Sequence, residues 1–203
     1  KPEEVRENFV RGQYGPGVID GKEVVGYRKE SEDLVFSNTE TFVAGKVLID
    51  NYRWAGVPFY IRTGKRMSVK KTNIVIEFKD IPMNLYFKSE RKHQPNLLVI
   101  NIQPEEGITL FLNAKKAGSE ALAEPIQLSY KQDAMAAINT PEAYEKLLYD
   151  CMIGDATNFT HWDEVALTWR YVDPILKVWE SEQPNFPHYE SGSQGPRQSD
   201  ELL

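Results

Sequence analysis

The sequence predicts an α+β fold with a large, mainly antiparallel sheet and helices packed on one of its faces. Several segments rich in branched and aromatic residues follow one another with connections too short for helical crossovers, which favours antiparallel pairing. A well-delimited helical pattern follows them at 140–153, and another begins near residue 162. Because strands and helices are grouped along the chain instead of alternating, the pattern is that of an α+β domain.

The strand predictions rest on composition and alternation. Residues 72–79 place Ile74, Ile76 and Phe78 on one face and charged side chains on the other. The remaining expected strands cover residues 56–61, 85–87, 97–103, 108–113 and 126–130. Residues 104–107 form a connection of hairpin length between two of them.

A first helix is predicted over about 39–52. Ser37 and Glu40 have the spacing of a capping box, and apolar residues then recur at helical intervals. Gly45 interrupts this pattern, which should cost about 1 kcal/mol relative to Ala in a helix.

Two further helices are expected in the last third of the chain. The pattern at 140–153 has Thr140 as N-cap and Pro141 at the first helical position. The helix from about 162 should bend or end at Pro174, which has no backbone N–H. Residues 11–17 resemble a loop in composition, and the tail from Pro184 should be irregular. 

The composition is that of an ordinary water-soluble domain. The chain has 203 residues with 24 basic and 30 acidic side chains, a formal net charge of −6. This acidity argues against nucleic-acid binding, and no apolar run approaches the roughly 20 residues of a membrane helix. The single cysteine, Cys151, fits a reducing, cytoplasmic compartment. No linker or repeat divides the sequence, so residues 1–203 are expected to form one domain.

The most informative stretch for function lies between Asp50 and Glu77, where this acidic chain has no carboxylate. Its cations are Arg53, Arg62, Lys65, Arg66, Lys70 and Lys71. Several cations on one loop at the end of a sheet, without local anions, predict a phosphate or carboxylate site. The alternative is a solvated loop whose cations pair with distant carboxylates.

Other chemistry-bearing residues give weaker signals. The three histidines, His93, His161 and His188, are far apart in sequence and have no neighbours at ligand spacing, so no metal site is expected. Cys151 falls on the apolar stripe of the predicted 140–153 helix, which favours a core position over a nucleophile. No Gly-rich nucleotide-binding motif occurs. The residues alone therefore predict an anion-binding α+β domain.

A long motif around Trp54 resembles the glucose-6-phosphate dehydrogenase family. It reads Asp-Asn-Tyr-Arg-Trp-Ala-Gly-Val-Pro-Phe-Tyr-Ile-Arg-Thr-Gly-Lys-Arg over residues 50–66. Further matching segments, in the same order, lie at 11–14, 26–28, 39–44, 102–104, 106–107, 141–148, 172–176 and 192–196. The resemblance covers nearly the whole chain, which is similar to the C-terminal part of that family.

The resemblance implies an NADP-dependent oxidoreductase that converts glucose 6-phosphate to 6-phosphogluconolactone in the pentose phosphate pathway. In that family the C-terminal part carries the sheet that forms the dimer interface and closes one side of the substrate pocket. The N-terminal Rossmann domain, which binds most of the NADP, has no counterpart in this chain, nor has the motif beside the family's catalytic histidine. No catalytic residue is therefore assigned, and the isolated chain is expected to be inactive.

The resemblance also implies three substrate contacts. Lys65 matches the lysine of the Arg-x-Gly-Lys motif, Lys70 matches the second cation of that loop, and Gln103 matches the glutamine of a Gln-Pro pair. Two ammonium groups suit a phosphate dianion, and an amide bonds hydroxyls without adding charge. Some members bind a second, structural NADP with cations near Lys71 and an arginine where this chain has Asn101. Because Asn101 is neutral, that second site is not expected here.

Two other functions stay open. The chain could act as a non-catalytic oligomerisation and sugar-phosphate-binding module, or as a stand-alone sugar-phosphate-binding regulator. A Gly-rich strand–turn–helix motif encoded upstream would distinguish the enzyme from both. As an enzyme, its partners would be glucose 6-phosphate and a second copy of the chain, paired through the sheet.

Overall fold

The computed structural model describes residues 1–80, 94–118, 123–131, 143–186 and 188–202. They divide into two compact units, Lys1–Val69 with Phe159–Leu203, and Lys70–Asn158. Each unit contains antiparallel sheet and α-helix, which confirms the predicted α+β class. Among the helices of these residues, none combines the length and apolar character needed to cross a bilayer.

The elements follow in chain order. The helices are α1 (Pro2–Asn8), α2 (Ala143–Ile153) and α3 (Trp162–Glu180). The strands are β1 (Phe9–Gly12), β2 (Tyr14–Gly15), β3 (Gly17–Ile19), β4 (Lys22–Val24), β5 (Phe42–Leu48), β6 (Pro58–Gly64), β7 (Thr72–Glu77), β8 (Leu97–Gln103), β9 (Gly107–Lys115), β10 (Ala123–Lys131) and β11 (Tyr189–Glu190). One sheet has the order β1-β5-β6 and a second the order β10-β9-β8-β7, both antiparallel. Strand pairs join β3 to β4 and, in parallel, β11 to β2.

The prediction of a helix over 39–52 is wrong. Residues Phe42–Leu48 form β5, the central strand of the three-stranded sheet. Val43 lies opposite Arg11 on one side and opposite Thr63 on the other. A short apolar run fits both the helical and the strand period, and here two flanking strands supply backbone partners along its length.

The register of β1 and β5 explains Gly45. This residue lies opposite Phe9, and a Cβ atom at Gly45 would collide with the Phe9 ring. Gly45 is therefore the position in the strand that makes room for an aromatic ring, and the helix cost expected from the sequence does not apply.

Two apolar clusters form the core of the first unit. Their buried members are Tyr14, Phe42, Ala44 and Tyr189 in one cluster, and Val5, Ile175 and Trp179 in the other. The first cluster joins residues from β2, β5 and β11. Residues 11–17 are therefore not the expected loop but contain the end of β1, all of β2 and the start of β3. The second cluster joins α1 to α3.

The C-terminal part is more regular than predicted. Helix α3 does not end at Pro174 but continues to Glu180, and the buried Ile175 and Trp179 anchor its last turns. The tail after Pro184 contains β11 and a 3-10 helix, Arg197–Leu202. Buried positions in this tail include Tyr189, Ser191, Pro196 and Ser199. Tertiary contacts therefore order a segment whose composition predicts irregular structure.

The second unit confirms the strand predictions. The segments expected at 72–79, 97–103, 108–113 and 126–130 correspond to β7, β8, β9 and β10, and the segment expected at 56–61 corresponds to β6 of the first unit. The expected strand at 85–87 and the expected helix start at 140–142 lie outside the described residues. Cys151 on α2 is exposed, so its predicted core position is wrong. Tyr144 and Leu148 of the same stripe are exposed too, so within the described part of the chain the apolar stripe of α2 is not packed into a core.

Candidate functional site in the basic stretch

The arginines of the basic stretch, residues 53–71, are used by the fold. The Arg62 guanidinium donates to Ser199 Oγ at 3.0 Å and to Asp200 Oδ1 at 2.6 Å. Arg66 donates to Glu30 Oε1 at 2.8 Å. Arg53 lies over the ring of its neighbour Trp54, 4.9 Å from the centroid. Arg62 and Arg66 therefore form the expected pairing with carboxylates that are distant in the sequence.

The lysines of the stretch differ. Lys65, Lys70 and Lys71 are exposed, and none forms an ion pair within the residues that the structure describes. As far as the described residues go, their ammonium groups are therefore available to an anion from solution. The structure separates the six cations into a structural set of arginines and an available set of lysines.

Lys65 follows the last residue of β6, and its backbone is held on both sides. Its amide donates to the Thr41 carbonyl at 2.8 Å, and its carbonyl accepts from the Tyr189 hydroxyl at 2.9 Å. Both backbone polar groups of Lys65 are therefore hydrogen-bonded, while its side chain is exposed. The fold thus fixes the point from which this ammonium group extends.

The residues after Lys65 are fastened as well. Arg66 has a positive φ of 52°, and its carbonyl accepts from the Gly192 amide at 2.7 Å. The Ser68 amide donates to the Ser193 carbonyl at 2.8 Å. The ion pair with Arg66 holds the pKa of Glu30 below its ordinary value, chiefly through the hydrogen bond from the guanidinium. These contacts make residues 65–68 a defined loop.

In the second unit, Lys70 and Lys71 precede β7, and Gln103 is the last residue of β8. Thr72 lies opposite Gln103 in the register of the two strands. Lys70 and Lys71 immediately precede Thr72 in the sequence. Lys71 and Gln103 line one cavity of about 290 Å³ together with Asn101, Pro104, Glu105, Glu106, Gly107, Thr109, Tyr130 and Lys131. The peptide bond between Gln103 and Pro104 is cis.

Of the three predicted contact residues, Lys70 and Gln103 belong to this second unit and Lys65 to the first. Each is exposed at the end of a strand or next to one. No group of three or more His, Cys, Asp or Glu side chains that could hold a metal ion occurs among the described residues.

Residue patterning did not indicate which residues hold the loop. Tyr189, Gly192 and Ser193 lie more than a hundred positions beyond residues 65–68 and belong to a tail whose composition suggested irregular structure. Their partners became visible only once the chain was folded, because each contact joins segments distant in sequence.

Comparisons with known proteins agree with the expected family. The family model described as "Glucose-6-phosphate dehydrogenase, C-terminal domain" matches residues 1–203. The chain is 63% identical over 201 residues to glucose-6-phosphate 1-dehydrogenase of Bacillus subtilis, covering 99% of this chain and 41% of that protein. It is 46% identical over 200 residues to the Chlamydia pneumoniae protein of the same name, covering 97% of this chain and 39% of the relative.

Solved structures agree as well. One of them, a glucose-6-phosphate dehydrogenase in complex with its substrate glucose 6-phosphate, matches with a TM-score of 0.82 and 31% identity, over 100% of this chain and 42% of the other. The Mycobacterium avium glucose-6-phosphate 1-dehydrogenase structure matches with a TM-score of 0.74 and 31% identity, over 100% and 41%. The chain thus spans about two fifths of the length of these relatives.

Proposed function

The chain belongs to the glucose-6-phosphate dehydrogenase C-terminal domain family, and we propose that it is the substrate-binding and dimerisation part of an enzyme that oxidises glucose 6-phosphate to 6-phosphogluconolactone. The observation that supports this most directly is the set of available lysines, because a phosphate dianion needs cations that the fold does not already use. The pentose phosphate pathway and a cytoplasmic location are part of the same proposal.

We assign substrate binding to Lys65, Lys70 and Gln103. The two ammonium groups would bind the phosphate or neighbouring hydroxyls, and the Gln103 amide would bind hydroxyls of the sugar. Binding of this kind orients the reacting carbon and so removes entropy from the barrier. The proton acceptor for the substrate hydroxyl is assigned to no residue of this chain.

NADP, as the proposed cofactor, would accept a hydride from C1 of the sugar, and we propose that residues outside this chain hold most of it. The cavity at the end of β8 does not fit a second NADP. Asn101 there is uncharged, the Lys131 ammonium is paired with Glu105 at 3.0 Å, and Glu106 adds another carboxylate. Lys71 and Lys131 are balanced by Glu105 and Glu106, so this lining offers phosphate groups no net positive charge.

A homodimer through the second unit's sheet is part of the proposal. Cross-strand register places ten aliphatic or aromatic side chains on one face: Ile74, Ile76, Leu98, Ile100, Ile108, Leu110, Leu112, Ile126, Leu128 and Tyr130. Leu128 is 56% exposed and Tyr130 is 67% exposed. An aliphatic face of this extent is typical of a surface that a partner covers, and we propose that a second copy covers it.

Single substitutions in the enzyme that contains this chain test the binding assignment. Lys65→Ala and Lys70→Ala should each raise the KM for glucose 6-phosphate roughly 10- to 100-fold, since each removes a charge-assisted hydrogen bond. Gln103→Ala should have a smaller effect because no charge is lost. Rising salt should weaken substrate binding through screening.

Lys22→Ala, which removes an exposed lysine from β4, serves as the control and should leave the KM unchanged. Changes within a factor of two for both Lys65→Ala and Lys70→Ala would support the solvated-loop alternative and refute the assignment.

The role of the chain as part of a larger enzyme has its own test. The purified 203-residue chain should not reduce NADP with glucose 6-phosphate, because the proton acceptor and most of the cofactor site are assigned elsewhere. The assay measures absorbance of the reduced cofactor, with the longer enzyme as positive control. Turnover by the chain alone would show that a catalytic base lies within it.

A further inference from the structure

The C-terminal segment Tyr189–Gln194 lies directly on the loop that carries Lys65. Hydrogen bonds join four of its residues to residues 65–68: Tyr189 Oη to the Lys65 carbonyl (2.9 Å), the Gly192 amide to the Arg66 carbonyl (2.7 Å), the Ser193 carbonyl to the Ser68 amide (2.8 Å), and Gln194 Nε2 to Ser68 Oγ (2.6 Å). These four residues therefore restrain the backbone and the Ser68 side chain of the loop at residues 65–68.

The Tyr189 hydroxyl is the buried member of this set. The side chain is 6% exposed, and burial raises its pKa. The Tyr14 amide donates to Thr41 Oγ1 at 3.0 Å, and that hydroxyl lies 3.1 Å from Tyr189 Oη. With Thr41 as donor in this pair, the single proton of Tyr189 Oη is left for the carbonyls of Lys65 (2.9 Å) and Thr41 (3.1 Å), of which the Lys65 carbonyl is the nearer.

We propose that Tyr189 is a positioning residue for substrate binding, which acts through Lys65 without touching the substrate. The inference rests on the proposed function, because it takes Lys65 as a substrate contact. The Lys65 amide is already bound to the Thr41 carbonyl, so the hydroxyl of Tyr189 completes the restraint on this residue's backbone. A lysine side chain has four flexible bonds, and its placement depends on a fixed starting point.

Tyr189→Phe in the enzyme that contains this chain tests the inference. The ring and its contacts with Phe42 and Tyr14 stay, so the core should still form. Loss of the hydroxyl removes the hydrogen bond to the Lys65 carbonyl together with its contacts to Thr41. The KM for glucose 6-phosphate should rise about three- to tenfold, with kcat changed less than about twofold and the KM for the cofactor unchanged.

Ser191→Ala is the matched control. Ser191 belongs to the same segment and is buried, but its hydroxyl donates to the Gly15 carbonyl at 2.8 Å and not to the loop. The control should lower thermal stability as Tyr189→Phe does and leave the substrate KM unchanged. Equal KM changes in the two variants would mean that Tyr189 acts only on stability, and the inference would fail.

A double-mutant cycle with Lys65→Ala identifies the route of the effect. If Tyr189 acts through Lys65, Tyr189→Phe should raise the KM in the parent enzyme and have no further effect in the Lys65→Ala background. Additive effects would overturn the inference while leaving the assignment of Lys65 intact. An unchanged KM in Lys65→Ala alone would refute that assignment, and this inference with it.

Amide hydrogen exchange gives a readout that does not depend on activity. Tyr189→Phe should speed exchange of the Lys65 amide relative to amides in β5, because the loop opens more often when its carbonyl restraint is lost. Ser191→Ala should leave that ratio unchanged. Unaltered exchange at Lys65 in Tyr189→Phe would contradict the proposed restraint.

Discussion

At the scale of single residues, the basic stretch separates two kinds of cation. Arginine presents a planar fork that suits fixed pairing, as in the bonds from Arg62 to Asp200 and from Arg66 to Glu30. Lysine presents a compact charge on a flexible stem, which suits reversible binding of an anionic ligand. Arg66 helps to hold the loop that carries Lys65, so charge alone does not identify a binding residue here.

The Arg66–Glu30 pair predicts a pH dependence of stability. The hydrogen bond from Arg66 lowers the pKa of Glu30 below its ordinary value of 4.5 in the folded protein. A lowered folded pKa contributes stability above the unfolded pKa, and this is lost as pH falls through the folded pKa. Glu30→Gln should therefore be less stable than the parent near neutral pH, and the difference should shrink below about pH 4.5.

Denaturant unfolding at several pH values measures this difference. Glu32→Gln, an exposed carboxylate without an ion pair to the described residues, is the control and should show no such trend. A Glu30→Gln difference that is constant from pH 7 to pH 3 would contradict the prediction.

At the scale of elements, β5 determines the first unit because it pairs with both β1 and β6. Phe42, at its start, is 1% exposed and packs against Tyr189 with ring centroids 5.6 Å apart. Gly45, near its centre, admits the ring of Phe9 from β1. The packing of β5 therefore depends on the large side chain of Phe42 and on the lack of a side chain at Gly45.

Gly45→Ala tests this packing. The added methyl group would displace the Phe9 ring, and overpacking of this kind should lower the free energy of unfolding by about 1–3 kcal/mol. Phe9→Leu combined with Gly45→Ala should lose less than Gly45→Ala alone, because the smaller side chain leaves space. Lys46→Ala in the same strand is the control. A fully stable Gly45→Ala variant would disprove the packing argument.

At the scale of the whole molecule, the second unit's sheet has two unlike faces. The face around Leu110 is aliphatic and aromatic apart from Glu124 near one end, whereas the opposite face mixes apolar residues such as Val99 and Phe111 with polar residues such as Asn101, Thr109 and Ser129. This asymmetry is what the proposed dimer uses, since a two-fold interface presents the same patch from both copies.

We predict the oligomeric state of the chain from that face. At tens of micromolar the chain, whose own mass is 23.3 kDa, should sediment as a dimer with twice that mass. Leu128→Asp, which puts a charge on the aliphatic face, should shift it toward monomer. Ser129→Asp puts the same charge on the opposite face and should stay dimeric, because neighbouring strand positions point to opposite sides. A parent chain that is monomeric under these conditions would refute the dimer.

Local patterns alone determined a large part of this protein. Alternation and β-branched content located the strands of the second unit, with 97–103 matching β8 at both ends. The run around Trp54 identified the family, which the comparisons confirmed. These features depend on side chains close together in the sequence, so the sequence displays them directly.

Tertiary structure decided the rest. Residues 42–48 became a strand because β1 and β6 offered backbone partners on both sides, and no local pattern shows such partners. The tail around Tyr189 is ordered by long-range contacts, among them the hydrogen bonds of the Tyr189 hydroxyl with the Lys65 carbonyl and with Thr41 Oγ1. Contacts of both kinds join segments that are separate in the sequence, with Tyr189 and Lys65 124 positions apart. Their free energy outweighs the weak local preferences from which a sequence is interpreted.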